Sequence, residues 1–385
     1  MSATVEATTS TLRKTALNSV HRQMGAKMVN FGGWDMPVEY PGSATRPGGL
    51  IAEHLAVRTA VGVFDVSHMG DIRLRGPQAL AAVQHISMND AARLATGQAH
   101  YSALLYPAGT FVDDVIVHKL ADSDYLLVIN AGTREKDYDW VRENVRGFDV
   151  RAEDAGDNYT QIAIQGPRAA GLLAKLTDAN LTAIKNYWFT RGRVCGLNDV
   201  LIARTGYTGE DGFEIYIPPD EATSARVWQE VLDAGREFGI LPCGLGARNT
   251  LRLESKMALY GHEISESITV WEAGLDRFCK MEKGDFIGRA ALERQKQQGI
   301  TRTLAGLEMT ERGIARDGYK VWDDSGKEVG YVTSGSYAPF LKKNIALACV
   351  PPRLAAMDTL LQVEIRGQGV KAKVVPTPFY RRAKK

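Results

Sequence analysis

Hydrophobic and polar positions along the chain switch repeatedly between the 3.6-residue period of helices and the 2-residue period of strands. Helical spacing predicts helices over 17–24, 51–59, 78–86, 134–144, 168–176, 222–238 and 249–259. Alternation predicts strands over 72–75, 101–106, 111–118, 125–130, 148–153 and 161–164, with a hairpin inside 200–218. The stretch 25–40 reads as a strand, a tight turn and a second short strand, followed by a Gly- and Pro-rich surface loop over 41–49. Beyond Lys283 short strands dominate, broken by Gly and Asp turns, and their spacing predicts a separate C-terminal β barrel or sandwich from about residue 300.

One pattern occurs twice. A strand over 72–75, Gly76-Pro77 and an apolar helix are echoed by a strand over 161–164, Gly166-Pro167 and a similar helix. Proline suits a first helical turn, where its missing N–H had no partner. The recurrence suggests two α+β layers of related build, or coincidence between common local motifs. At 385 residues the chain exceeds what one core usually spans, so two or three domains are expected.

The strand over 111–118 follows the turn Pro107-Ala108-Gly109-Thr110 and carries two adjacent carboxylates, Asp113 and Asp114. Neighbouring strand residues face opposite ways, so Asp114, Ile116 and His118 share one face and Asp113, Val115 and Val117 the other. Aspartate is a poor strand former and is rarely buried alone. Either one faces water while the other pairs or caps a loop, or one lies in an interior cavity where it steers a substrate's protonation. In GYTGEDGFEI (206–215) the side chain of Glu214 is opposed to Phe213 and Ile215. It faces solvent, or it faces a cavity where its two oxygens accept a paired donor edge such as a pterin's ring N–H and amino group.

Net charge is +2, and the only short basic run is Arg381-Arg382-Ala383-Lys384-Lys385, so no nucleic-acid-binding stripe is expected. No apolar run approaches the length of a membrane span, and residues 1–14 lack the apolar core of a secretory signal. Those residues faintly resemble a transit peptide but read as a disordered cap, and the location as cytoplasmic, or the mitochondrial matrix in a eukaryote. Cys195, Cys243, Cys279 and Cys349 follow no metal-binding spacing and are expected to be free buried thiols, with no metal. GLGARN (244–249) lacks the third glycine of a dinucleotide fingerprint, and His262-Glu263 lacks the second histidine of a zinc helix.

Taken together, AVRTAVGVFDVSHMGDIRLRGP, FVDDVIV, NAGTREKD, IAIQGP, RTGYTGEDGFEI, PCGLGARNTLRLE, LYGHEI, DFIGRAAL, VTSGSYAP, IALACV and TPFYRR resemble the T-proteins of the glycine cleavage system. The resemblance runs in order from about Leu17 to Arg382. It implies an α+β fold: a three-domain cloverleaf of ferredoxin-like or Greek-key α+β domains and a C-terminal β barrel or jelly roll around a central folate funnel. The division expected is 1–60 with 155–285, then 61–154, then 286–385. It implies aminomethyl transfer from the lipoyl arm of a carrier H-protein to tetrahydrofolate as co-substrate, with release of ammonia. Carried over by position, Asp114 is the catalytic carboxylate and Glu214 holds the pterin edge. Arg248 and Arg381 contact folate, and Met69, Tyr101 and Tyr207 are cavity-wall candidates.

The chain departs from the family pattern at Asn249, where Asp is common, a change expected to alter how Arg248 is held. It also departs in the 41–49 loop, at Ser265 and in the glycines of the 107–110 turn. A folate-dependent demethylase of a small methylated sulfonium or amine is the alternative. A folate-binding assembly protein without turnover is a third reading, although the KGCYxGQE signature of such a factor is missing. The basic residues Arg381, Arg382, Lys384 and Lys385 suit electrostatic steering of an acidic carrier.

Overall fold

The computed structural model describes residues 11–44 and 46–383. The N-terminal cap expected over 1–14 falls mostly outside them, as do Lys384 and Lys385.

Three sheets carry the architecture, with a two-stranded ribbon, Lys27–Phe31 and Trp34–Glu39, beside them. A six-stranded sheet has the order Phe189–Val194, Leu197–Ala203, Gly212–Ile217, Thr160–Gln165, Val61–Asp65, Ile240–Pro242. A five-stranded sheet has the order Gln98–Leu105, Phe111–Ala121, Asp124–Ile129, Gly70–Arg75, Arg151–Asp154. The C-terminal strands, from Thr303–Met309 to Gln368–Val375, close into a barrel, which resolves the choice between barrel and sandwich. Closure leaves no sheet edge open to another chain.

Val61–Asp65 pairs antiparallel with Thr160–Gln165 (Val63 opposite Ile164) and parallel with Ile240–Pro242. A boundary at residue 61 therefore cuts a strand from its sheet; the passage to the five-stranded sheet comes between Asp65 and Gly70. The helix Arg289–Gln298 was not anticipated, because its apolar side is little more than Leu292. Leu292 is fully buried with Met88, Leu105, Phe111 and Phe286, a cluster that contains no barrel residue. By packing, then, 286–298 sits against the five-stranded sheet, and barrel strands begin at Thr303.

The doubled motif is structural. Gly76 (φ 149°) and Gly166 (φ 134°) each end a strand in a conformation that favours glycine. Built-in Cβ atoms would lie 2.4 Å from the Asp149 carbonyl oxygen and 2.5 Å from that of Ala60. Two residues on, the N–H groups of Gln78 and Arg168 donate to those same two carbonyls. Each unit thus turns into its helix, Ala79–Ile86 or Ala169–Leu173, by one device.

Each sheet buries its own core: Val63, Ile164, Phe213 and Trp228 in the first, Ile72, Leu104, Val115 and Leu127 in the second, Leu307, Val332 and Ala348 in the barrel. The first two sheets meet through a small apolar cluster, Leu126, Leu201, Ala203 and Tyr216. All four cysteines are buried and free.

Candidate functional site

Beside that contact lies a cavity of about 210 Å³. Its wall is built from both sheets, from the helix Leu245–Glu254, and from the segments after that helix. Among the described residues, no barrel strand contributes to the wall. The barrel instead packs behind the helix through Leu253, Ala338, Ile345 and Leu347.

The strand Phe111–Ala121 splits its carboxylates as the two-residue period requires. Asp114, Ile116 and His118 reach the cavity, while Val117 enters the core, as does Val115, which also borders the cavity. Asp113 is fully buried and caps the turn after the next strand. It accepts hydrogen bonds from the Asn130 backbone N–H (3.1 Å), Asn130 Nδ2 (2.8 Å) and Thr133 Oγ1 (2.8 Å). Asn130 Nδ2 also donates to Asp114 Oδ1 at 2.7 Å. Burial, and then the charge of Asp113, push the Asp114 carboxyl up to about 7, against the pull of Asn130 and Tyr101. A carboxyl group near 7 is suited to move a proton at neutral pH.

Glu214 projects from the middle strand Gly212–Ile217, in register with Ala163 and Ala203, while Phe213 and Ile215 fill the core behind it. Of the two faces open to it, Glu214 takes the cavity. Thr205 Oγ1 donates to its Oε2. Burial raises its pKa, and the Thr205 hydrogen bond and the charge of Arg248 oppose the rise. Arg248 enters from the first turn of Leu245–Glu254, with its guanidinium 4.5 Å from the centre of the Tyr207 ring and 3.9 Å from Met69 Sδ. Tyr207 is held by a hydrogen bond from its hydroxyl to the Ala258 carbonyl. The Tyr101 ring packs tilted against Phe278, with the ring centres 4.7 Å apart. Its hydroxyl is buried without a well-formed hydrogen bond, and burial and the charge of Asp114 raise its pKa.

Met69, Tyr101, Asp114, Tyr207, Glu214 and Arg248 therefore share one cavity wall. Arg381 does not. It is exposed, its guanidinium donating to the Thr377 carbonyl at 3.4 Å, while its neighbour Arg382 lies 3.4 Å from Asp211. Asn249 does not hold Arg248 either: its Oδ1 accepts from Arg252 Nε at 2.8 Å. Buried Arg252 in turn pairs with Glu263 at 2.7 Å and donates to Ser334 Oγ of the barrel at 2.8 Å. The expected helix over 249–259 is displaced to Leu245–Glu254, because Lys256 (φ 54°) turns the chain out of helical geometry.

Two wall residues were not singled out from sequence. Asn130 sits in the NAGTREKD stretch, but nothing in the stretch shows an amide bridging two carboxylates. Tyr187 adopts φ 60°, rare for a bulky side chain. Its N–H donates to Arg204 O (3.0 Å) and its carbonyl accepts from Ala99 N–H (2.7 Å), so both sheets clamp it.

Residues 17–283 match the family model described as GCVT N-terminal domain, and 302–381 match the glycine cleavage T-protein C-terminal barrel domain. An aminomethyltransferase of Koribacter versatilis is 69% identical over 97% of both chains. One of Moorella thermoacetica is 49% identical over 97% of this chain and 99% of its own. The crystal structure of glycine cleavage system aminomethyltransferase T from Bartonella henselae superposes with a TM-score of 0.89 at 32% identity, covering 97% of this chain and all of that one. With both of its domains matched and its fold shared, the chain belongs to the glycine cleavage T-protein family.

Proposed function

We propose that the cavity between the two sheets is where this enzyme brings tetrahydrofolate and the aminomethyl group together, with Asp114 as the catalytic carboxylate. The enzyme is an aminomethyltransferase of the glycine cleavage system. The donor in this reading is an aminomethyl group on the lipoyl sulfur of a carrier H-protein. Its methylene passes to folate N5 and closes onto N10, giving 5,10-methylenetetrahydrofolate, ammonia and the reduced lipoyl arm.

The observation that carries the reading is the pairing of two unlike carboxyl groups in one cavity. Glu214 spends one oxygen on Thr205 and, among the described residues, nothing donates to Oε1, which suits a pterin's donor edge. Asp114, near 7, suits the reacting end. An N–CH2–S carbon is already primed to lose a leaving group, so the main demand is positioning. Asp114 then stabilises positive charge developing on the folate amines and carries protons toward the departing ammonia. Arg248 and Tyr207 form one wall and Tyr101 with Phe278 another. Arg381, outside the cavity, meets the part of folate that extends past the mouth.

We further divide the chain into a unit of 11–65 with 155–285, a second of 66–154 with the helix Arg289–Gln298 against it, and a barrel from Thr303. No helix among the described residues is long and apolar enough to cross a membrane; a cytoplasmic location accords with the bacterial relatives.

The test is ammonia release from aminomethylated H-protein, with and without tetrahydrofolate, for the wild type and Asp114→Asn. Folate-stimulated release should fall about 10²-fold or more in kcat in the variant. Unchanged turnover would remove Asp114 from the mechanism. Bound folate with no release from the wild type would turn the search to methylated sulfonium and amine donors.

A further inference from the structure

Asp114 reaches the cavity, and the two groups that touch or adjoin it most closely are Asn130, beside it on the wall, and Asp113, buried behind it. Asn130 Nδ2 lies 2.8 Å from Asp113 Oδ1 and 2.7 Å from Asp114 Oδ1. Only the amide nitrogen, with two N–H groups, can face two carboxylates at once, so this orientation of the side chain is the one chemistry allows. Asp113 is the acceptor of three hydrogen bonds, the pattern of an ionised carboxylate. Behind it stands Asp137, fully buried, with neither carboxyl oxygen hydrogen-bonded in good geometry. Burial, and then the charge of Asp113, push Asp137 up to about 10, so Asp137 stays protonated. Lys136 faces Asp137 at 3.4 Å but gives its strongest contacts to the Val112 carbonyl and the Tyr260 hydroxyl.

We propose that Asp113 and Asn130 are positioning residues for Asp114 with opposed effects. The buried charge of Asp113 holds the neighbouring carboxyl toward its protonated form. The Asn130 amide, giving one N–H to each aspartate, fixes the Asp114 rotamer and holds it toward the ionised form. Among the remaining groups around Asp114, Tyr101 reinforces the amide by drawing the carboxyl toward its ionised form, and none duplicates Asp113. Tyr101, Tyr187 and Tyr207 are neutral phenols whose pKa values burial raises. His118 on the same face is held neutral by burial, at about 4. Across the cavity Arg248 and Glu214 carry opposite charges that act partly on each other. Two adjacent aspartates on a strand thus divide the work: one reacts, and its buried neighbour adds to the effect of burial on the pH at which it does so.

This rests on the reading of Asp114 as the reacting group, so the experiment includes a readout other than activity. The full chain is labelled with 13C at aspartate carboxyls, and the Asp114 signal is assigned by its loss in Asp114→Asn. Its titration midpoint is then followed in the wild type, Asp113→Asn and Asn130→Ala, beside the pH profile of kcat and thermal melts. Asp113→Asn should lower the midpoint, and Asn130→Ala raise it, each by about one pH unit, a tenfold change in proton affinity. Both profiles of kcat should move with the midpoints. If Asp113→Asn does not fold, Asp113→Ser should give the same downward shift. A purely structural role predicts unmoved midpoints, or shifts in one direction, in variants that melt like the wild type; either result overturns the proposal. Opposed midpoints with full turnover in Asp114→Asn would instead uphold the electrostatics and remove the catalytic reading.

Discussion

Arg58 and Asp114 are both charged groups withdrawn from bulk water, and their surroundings are opposite. Every guanidinium nitrogen of Arg58 donates a hydrogen bond. Nε donates to Glu254 Oε2 at 2.9 Å, Nη1 to the Thr208 carbonyl at 2.7 Å and to Glu210 at 3.1 Å, and Nη2 to the Leu251 carbonyl at 3.2 Å. The Tyr380 ring covers its face at 3.9 Å. Burial acts to raise Glu254, but His54 and Arg58 outweigh it and its pKa ends below the usual carboxylate range. Around Asp114 the balance fails: a like charge lies next to it in sequence and, among the described residues, no cation pairs with it. A buried charge that is fully answered holds segments together, here the 50–59 helix, the loop carrying Tyr207, the helix carrying Arg248 and the C-terminal stretch. A buried charge left unanswered is poised to do chemistry.

The comparison is broken most severely at its stable end. Arg58→Met leaves Glu210 without its guanidinium partner and Glu254 with His54 alone, and losing one member of a buried pair costs about 3–5 kcal/mol. The melt should move down steeply, and the variant should bind tetrahydrofolate weakly because Tyr207 and Arg248 lose their shared anchor. A melt within error of wild type would show that the guanidinium is not the anchor its contacts describe.

Glu214→Ala comes next. It removes the acceptor that matches the pterin edge and should weaken tetrahydrofolate by about 1–3 kcal/mol, since the ligand's donors are left unpaired. Isothermal titration measures it, and unchanged affinity would move the pterin away from Glu214.

Asp114→Asn tests the other half of the contrast by the sign of its effect on stability. A folded-state pKa raised to about 7 means the folded protein binds a proton that the unfolded chain has already released. Stability attributable to this group is therefore lost as pH rises from about 4 to about 7. Replacing the carboxylate should raise Tm at pH 8 and leave it nearly unchanged at pH 4, with kcat lowered throughout. Arg58→Met should lower Tm at both.

How far the sequence disclosed this contrast depends on distance along the chain. The split of Asp113 from Asp114, and of Glu214 from Phe213 and Ile215, follows from strand periodicity, because alternation is a local property of the backbone. The repeat around Gly76-Pro77 and Gly166-Pro167 was legible for the same reason. Asn130 reaches Asp113 across 17 positions and Arg58 reaches Glu254 across 196, and no pattern of spacing encodes such meetings. A boundary at residue 61 parts the strand Val61–Asp65 from its partner Thr160–Gln165, because a strand's own residues do not say which sheet will accept them. The helix Arg289–Gln298 was missed because one buried leucine is too thin a stripe to announce an amphipathic face. Arg381 as a folate contact rests on family resemblance alone, and no spacing in the sequence says that its guanidinium lies outside the cavity, near the Thr377 carbonyl.

The smallest expected effect corrects a specific expectation. The family resemblance leads one to expect Asp at position 249, where this chain has Asn, and the adjacent Arg248 makes that site look like its support. In the structure the Asn249 side chain is turned away, to Arg252, which already has Glu263 as a buried partner. Asn249 is itself exposed, so a new carboxylate there would be screened by water and would add no more than about 0.5 kcal/mol to an arginine already paired. Asn249→Asp should therefore leave tetrahydrofolate affinity and kcat at wild-type values and shift the melt only slightly. The barrel would feel the change first, because Arg252 also holds Ser334. A clear change in folate affinity would mean that the start of this helix transmits charge to Arg248 after all. The answered and unanswered regions would then be coupled through one helix and not merely joined by it.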